Sequence, residues 1–157
     1  MKVIFIQIGK TDQSYIRDGV ARYESRLKHY IPLNIITVPE VKRSKKISEN
    51  RIKELEGNAI SDLFKSQDHI ILLDEGGDQP DSVKFAGLIE KYMISGIKRL
   101  VFVSGGAYGF SSKVYERAHS KLSVSKMTFS HQMIRLLFLE QLYRAMTIIR
   151  GDPYHHG

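Results

Sequence analysis

Three short stretches of the chain hold the residue types from which a ligand site can be built. They are Asp74-Glu75-Gly76-Gly77, Ser104-Gly105-Gly106-Ala107-Tyr108-Gly109-Phe110 and Ser123-Val124-Ser125-Lys126-Met127-Thr128-Phe129. Each follows a strand-like apolar segment. Glycine lets a backbone approach a ligand closely and supplies conformations that other residues avoid. Three glycines between a strand and a helix therefore point to a nucleotide-like ligand, with a plain tight turn as the alternative. The cluster Gly105, Gly106, Gly109 is not the dinucleotide pattern G-x-G-x-x-G, and no acid stands about 20 residues on at the end of a following strand. Further candidates lie toward the carboxyl terminus. His131 sits in the first turn of a helix. Glu140 and Arg144 are one helical turn apart, where they can pair. Tyr154, His155, His156 and Gly157 form a polar tail, which is either a site element or a frayed end. No His, Asp or Glu set has metal-ligand spacing, so no metal is expected.

The elements that position these residues alternate. Val3 to Ile8 is a short apolar run closed by Gly9, and reads as a buried strand. Ile16, Val20, Tyr23, Leu27 and Tyr30 recur on one helical face ahead of Pro32. Leu33 to Val38 is a second strand. A basic helix follows, over about Ile47 to Lys65, with Gly57 inside it. His69 to Asp74 is a third strand whose unbroken Ile and Leu run predicts burial on both faces, as in a parallel sheet. A helix opening at Ser82 runs toward Gly96, and Leu100 to Ser104 is a fourth strand. Ser111 to His119 is a short helix, Leu122 to Met127 a fifth, weaker strand, and Ser130 caps a last helix running to about Arg150. This order predicts an α/β domain with a mostly parallel sheet covered on both sides, spanning 1–157 as a single domain. Parallel sheets bind ligands at the carboxyl ends of their strands, where all three stretches fall.

Composition narrows the partners. The net charge is +7 from 24 Lys and Arg against 17 Asp and Glu, and the isoelectric point is about 9.6. Such a balance favours a polyanion, because lysine and arginine release counterions from phosphates. Between Lys42 and Lys53 six basic residues (Lys42, Arg43, Lys45, Lys46, Arg51, Lys53) stand against the single acid Glu49. That is either a nucleic-acid contact or a solvated helix start. There is no cysteine, which excludes disulfides and is compatible with a reducing cytosol. No stretch approaches the roughly 18 apolar residues of a membrane span, so no membrane partner is expected. The amino-terminal run is too short for a signal-peptide core. In the last helix, 12 of the 17 residues from Met133 to Ile149 are apolar and occupy every side. A helix apolar all round must be buried all round. One side can face the sheet, and the other predicts a second subunit, hence a homodimer.

The motifs together resemble a known family. The Ser104 to Phe110 loop, the run Leu122 to Met133, the helix segment Glu140-Gln141-Leu142-Tyr143-Arg144-Ala145 and the end Ile149 to His155 look like those of the RlmH type of SPOUT methyltransferase. That family methylates N3 of a pseudouridine in 23S ribosomal RNA, and the resemblance covers essentially the whole chain. It implies a trefoil-knotted α/β fold, a homodimer, and S-adenosyl-L-methionine held in the bend of the three loops. Carried across by position, the cofactor contacts are Leu73, Gly105 and Val124, Ser125, Lys126, Met127, Thr128 and Phe129, with Gly106 and Gly109 shaping the loop. His131, Glu140, Arg144, Tyr154 and His155 fall near the acceptor. Arg144 is the expected electrostatic clamp, and Tyr154 and His155 the tail contacts that complete the site, in a dimer at the partner's cofactor. The implied substrate is 23S rRNA within the assembled ribosome, in the cytoplasm. Two positions depart from the family pattern: Ser130 stands where proline is common, and Asp78 where lysine often follows the first loop. Two other functions remain as rivals. A non-catalytic ribosome-binding assembly factor accounts for charge and dimer but not for the glycine loop. A small dinucleotide-dependent oxidoreductase uses that loop but lacks a ribose-binding acid.

Overall fold

A computed structural model describes residues 1–156, so Gly157 of the tail lies outside the described residues. Five strands form one sheet in the order β2-β1-β4-β3-β5, with β1 Lys2–Ile8, β2 Leu33–Val38, β3 His69–Asp78, β4 Arg99–Ser104 and β5 Ser120–Leu122. All four pairings are parallel. Five helices connect and extend them: α1 Ser14–Leu27, α2 Glu49–Ser61, α3 Ser82–Ile94, α4 Ser112–Arg117 and α5 His131–Arg150.

The strands are apolar at nearly every position because both faces of the sheet are covered. Alternate side chains point to opposite faces. Val3, Phe5, Ile71, Leu73, Leu100 and Phe102 pack with Leu27 of α1, Phe85 and Ile89 of α3, and Phe138, Leu139, Leu142 and Met146 of α5. Ile4, Ile6, Ile70, Leu72, Val101 and Val103 pack on the other face with Ile60 of α2 and Val114 of α4. The helices thus divide into α1, α3 and α5 on one side and α2 and α4 on the other.

Three sequence expectations change. The fifth strand is short, ending at Leu122 rather than Met127. Beyond it, Ser123 Oγ donates to the Ser125 carbonyl at 2.8 Å and Ser125 Oγ accepts from Met127 N at 2.9 Å. Local serine bonds of this kind compete with a strand ladder. Secondly, β3 runs on through the glycines to Asp78, with an irregularity between Leu73 and Asp78 in its pairing with β5. Thirdly, α2 starts later than Ile47, at Glu49, because Ser48 caps it by accepting from Arg51 N.

Gly57 in mid-helix has a packing cause. A Cβ there would lie 2.1 Å from Ser111 Oγ and 2.9 Å from Ser111 Cβ, so α2 and the start of α4 approach through the missing side chain. Alanine at an ordinary mid-helix site is better than glycine by about 1 kcal/mol. Here the sign reverses. Gly57→Ala is expected to lower unfolding stability by about 1–3 kcal/mol from overpacking, read as a fall in the denaturant midpoint without change of slope.

Candidate active site

The carboxyl ends of β3, β4 and β5 open into a cavity of about 540 Å³, within the range of small-molecule sites. Its wall is backbone-rich. Gly105, Gly106 and Gly109 line one side, Leu73, Asp74 and Glu75 another, and Leu122 to Ser125 with Met127 to His131 a third. The glycine loop closes on itself. Gly109 has φ +77°, the left-handed region that favours glycine, and its N–H donates to the Gly106 carbonyl at 3.2 Å. A Cβ on Gly105 would meet the buried ring of Phe110 at 3.2 Å.

The third wall is held by backbone. Ser123 N donates to the Asp78 carbonyl at 2.8 Å, a bond that does not depend on the Asp78 side chain. A Cβ on Gly77 would fall 2.6 Å from Leu122 N, so only glycine fits there. Ser130, where the family commonly has proline, accepts from Met133 N at 3.2 Å and caps α5. Met127 is 75% and Phe129 38% exposed at the rim; both supply apolar surface that a ligand would cover.

Three of the lining side chains are ionisable: Asp74, Glu75 and His131. The lining residues thus include two acids and no lysine or arginine, in a chain of net charge +7, with Lys121 Nζ beside Gly76 outside the lining. Asp74 accepts from Gly76 N at 2.8 Å and from the Tyr115 hydroxyl. Burial and that bond push the Tyr115 phenol up to about 12, so it stays a donor.

Of the expected cofactor contacts, Leu73, Gly105, Gly106, Gly109, Val124, Ser125, Met127, Thr128 and Phe129 line this cavity, and Lys126 is exposed outside its lining. His131 lines it too. The other four expected catalytic residues do not. Arg144 lies about 20 Å along α5 from His131 at the helical rise. There it forms a second cluster. Its guanidinium donates to Glu140 Oε1 at 2.6 and 3.1 Å, lies 3.2 Å from His155 Nδ1 and sits 4.9 Å from the Tyr154 ring centroid. The Glu140 bond raises the Arg144 pKa above its ordinary value. Tyr154 donates to Glu140 Oε1 and meets the Tyr23 hydroxyl, each at 3.3 Å. Burial and these partners hold its phenol well above the usual range, which makes it a hydrogen-bond donor rather than a base at neutral pH.

The tail is docked rather than frayed. Gly151 caps α5 with φ +73°. Asp152 N donates to the Thr147 carbonyl at 2.9 Å, and Tyr30 donates to Asp152 Oδ2 at 2.7 Å.

Sequence reasoning missed Arg135. It is fully enclosed in the first turns of α5. It donates to Thr11 Oγ1 at 2.9 Å and to the Ile8 carbonyl, so it fastens the end of β1 to the helix start that walls the cavity. The available signal was a charge within an otherwise apolar helix stretch. No group of three or more His, Cys, Asp or Glu side chains able to hold a metal occurs among the described residues.

Comparison with known proteins settles the class. The family described as "Predicted SPOUT methyltransferase" matches residues 1–155. The chain belongs to the SPOUT methyltransferase family. Curated relatives agree over 99% of both chains: proteins named "Ribosomal RNA large subunit methyltransferase H" are 51% identical in Parabacteroides distasonis, 49% in Christiangramia forsetii and 48% in Bacteroides fragilis. As a SPOUT methyltransferase the chain carries methyl-donor chemistry.

Arg135→Met removes two buried donors and leaves the Ile8 carbonyl and Thr11 hydroxyl unpaired. We expect a loss of about 1–3 kcal/mol in unfolding stability, with weaker cofactor binding by calorimetry because the Ser130 to Ile134 wall loses its tether.

Proposed function

We propose that this methyltransferase uses S-adenosyl-L-methionine to methylate N3 of a pseudouridine in 23S rRNA of the assembled ribosome, as a cytoplasmic homodimer. The observation that carries the cofactor is the charge of the cavity. S-adenosyl-L-methionine is cationic at its sulfonium and ammonium. A lining with two acidic residues and no lysine or arginine suits a cation, and opposes the pyrophosphate of a dinucleotide, which recruits positive donors. The glycine-lined wall admits a close ligand, and Met127, Thr128 and Phe129 can cover it. When bound, the cofactor supplies an activated methyl group. The residues of the chain supply alignment and exclusion of water.

The acceptor is an imide nitrogen whose proton must leave, and a nearby positive charge stabilises the resulting anion. Arg144 carries that charge, with Glu140 fixing its guanidinium and Tyr154 and His155 beside it. His131 is the ionisable group at the α5 end of the cavity, within reach of a proton shuttle through water. One chain keeps the Arg144 cluster a helix length away from its own cavity. The homodimer resolves this. Met133, Leu137, Glu140 and Arg144 form a half-buried strip of α5, while Leu136 packs on Gly19 of α1. Antiparallel packing of two such strips about a two-fold axis brings the cluster of one subunit to the cavity of the other. The trefoil knot implied by the family resemblance belongs to the same reading. A dimer of this size covers a small patch of RNA, which favours a preassembled ribosomal surface over free RNA as substrate. The exposed Lys42 to Lys46 segment is the basic surface for docking.

Arg144→Ala is expected to lower methylation of ribosomes at saturating cofactor at least about a hundredfold, in line with loss of one positioned charge, and mass spectrometry of the rRNA nucleosides reads it. Gly105→Val is expected to abolish cofactor binding. Mixing the two inactive variants should restore about a quarter of wild-type activity, because half of the dimers are mixed and each of those has one complete site. A mixture as inactive as its parts rules out the shared site. Absence of cofactor heat in the wild type rules out the cofactor reading itself.

A further inference from the structure

Glu56 is a buried carboxyl that the proposed chemistry leaves unused. It lies on α2, is 7% exposed, and its Oε2 is enclosed with no hydrogen-bond partner among the described residues. It presses on the back of the glycine loop. A Cβ built on Gly106 would fall 2.9 and 3.0 Å from the two carboxyl oxygens, while the front of Gly106 lines the cavity.

The surroundings offer this carboxyl no cation. From the β2–α2 connection it faces Glu40, a second carboxylate. The glycine loop presents backbone at Gly106. From the start of α4 the neighbouring group is the uncharged Ser111 hydroxyl, packed on Gly57. Arg43 is engaged elsewhere, 5.4 Å over the Tyr108 ring and 3.5 Å from Glu49. Arg135 is directed to the end of β1. A buried carboxylate without a cation or donors is costly, and such a group takes up a proton or recruits water by moving its cover.

We propose that Glu56 positions the glycine loop through its protonation state: the neutral acid supports Gly106 in its cavity-lining form, and the carboxylate displaces it. The proposal rests on the reading of this cavity as the cofactor site. Burial and Glu40 push the Glu56 carboxyl up to about 7, so the change falls within the working pH range. The sign follows. A folded-state value above the ordinary one adds stability at low pH, which is lost as pH rises through about 7. The loop, and cofactor affinity with it, weakens in the same direction.

Calorimetry with S-adenosyl-L-methionine between about pH 6 and about pH 8.5 tests this in the wild type and in Glu56→Gln. The α-ammonium of the cofactor titrates in the same range, so the difference between the two proteins is the readout. Wild-type affinity is expected to fall about tenfold more than that of Glu56→Gln; parallel profiles overturn the proposal. Amide NMR of the cofactor-free protein gives a second reading. The Gly105, Gly106 and Gly109 signals should titrate near pH 7 in the wild type and stay still in Glu56→Gln. Loop signals that do not titrate overturn the proposal even if the cavity takes another ligand. A wild type that shows no cofactor heat but a titrating loop overturns the cofactor reading and keeps the role of Glu56. Gly106→Ala should weaken binding, and Gly106→Ala with Glu56→Ala should recover it in part. A double variant no better than the single one shows that the carboxyl does not bear on the loop.

Discussion

The structure depends on one close approach of backbone to backbone, where Gly77 at the end of β3 meets Lys121 and Leu122 of β5. The space for a Cβ at Gly77 is filled by backbone atoms 2.6 Å away, and backbone cannot move aside as a flexible side chain can. This contact seats β5 at the sheet edge beside β3, and the Ser123–Asp78 bond continues it. The segment from Ser123 to Ser130 is thereby carried across the strand ends instead of continuing as a strand. Two further constraints fix its limits. Ser123 and Ser125 tie it to itself, and Arg135 ties the start of α5 to the end of β1. The cavity is the space these restraints leave open in front of the glycine loop.

Electrostatics divides the molecule by function. The chain as a whole is strongly basic, as suits a protein drawn to phosphates, and most of its positive residues, unlike the enclosed Arg135, are exposed. Against that background the cavity holds Asp74 and Glu75. A site that bound phosphates by charge would have the opposite lining. On the proposed reading the two signs separate two ligands: a polyanion met by the outer surface and a cation met inside. Net charge speaks for the first and is silent on the second, which is why composition alone left the cofactor undecided.

How much the sequence disclosed depended on the kind of signal. The sheet and its burial on both faces were readable at His69 to Leu73 and Leu100 to Val103, because a run apolar at successive positions has two faces to bury. The α5 cap at Ser130 and the stop at Gly151 were readable from local chemistry. Most expected cofactor contacts came from resemblance, and all but Lys126 line the cavity. What stayed hidden depends on long-range proximity. Arg135 appeared as an interruption of an apolar helix, and only the fold shows Ile8 and Thr11 at the end of its guanidinium. Glu56 lies in a polar helix among other charges, and its burial follows from Gly57 letting α4 in close. The early end of the fifth strand was misjudged because serine side chains compete with strand pairing at a distance of two residues, below the resolution of apolar patterning.

The apolar circumference of α5 bears on the proposed joining of the two halves of the site. Sequence reasoning assigned one side to the sheet and the other to a second subunit. In the structure the sheet lies below, α1 and α3 occupy both flanks, Leu136 packs on Gly19 of α1, and the strip of Met133, Leu137, Glu140 and Arg144 remains. That strip is narrower than expected, and it mixes apolar side chains with an ion pair already satisfied within its own chain. A satisfied pair can be buried at an interface without leaving a lone charge, whereas an unpaired arginine there would oppose association. In the proposed dimer one helix face would serve two purposes: its apolar members would hold a partner, and its paired charges would reach the partner's cavity ready oriented. The tail is already docked within one chain through Tyr154 and Asp152. A preordered cluster loses little conformational entropy on assembly, so an active centre formed between subunits, as proposed, would inherit the rigidity each chain has already built.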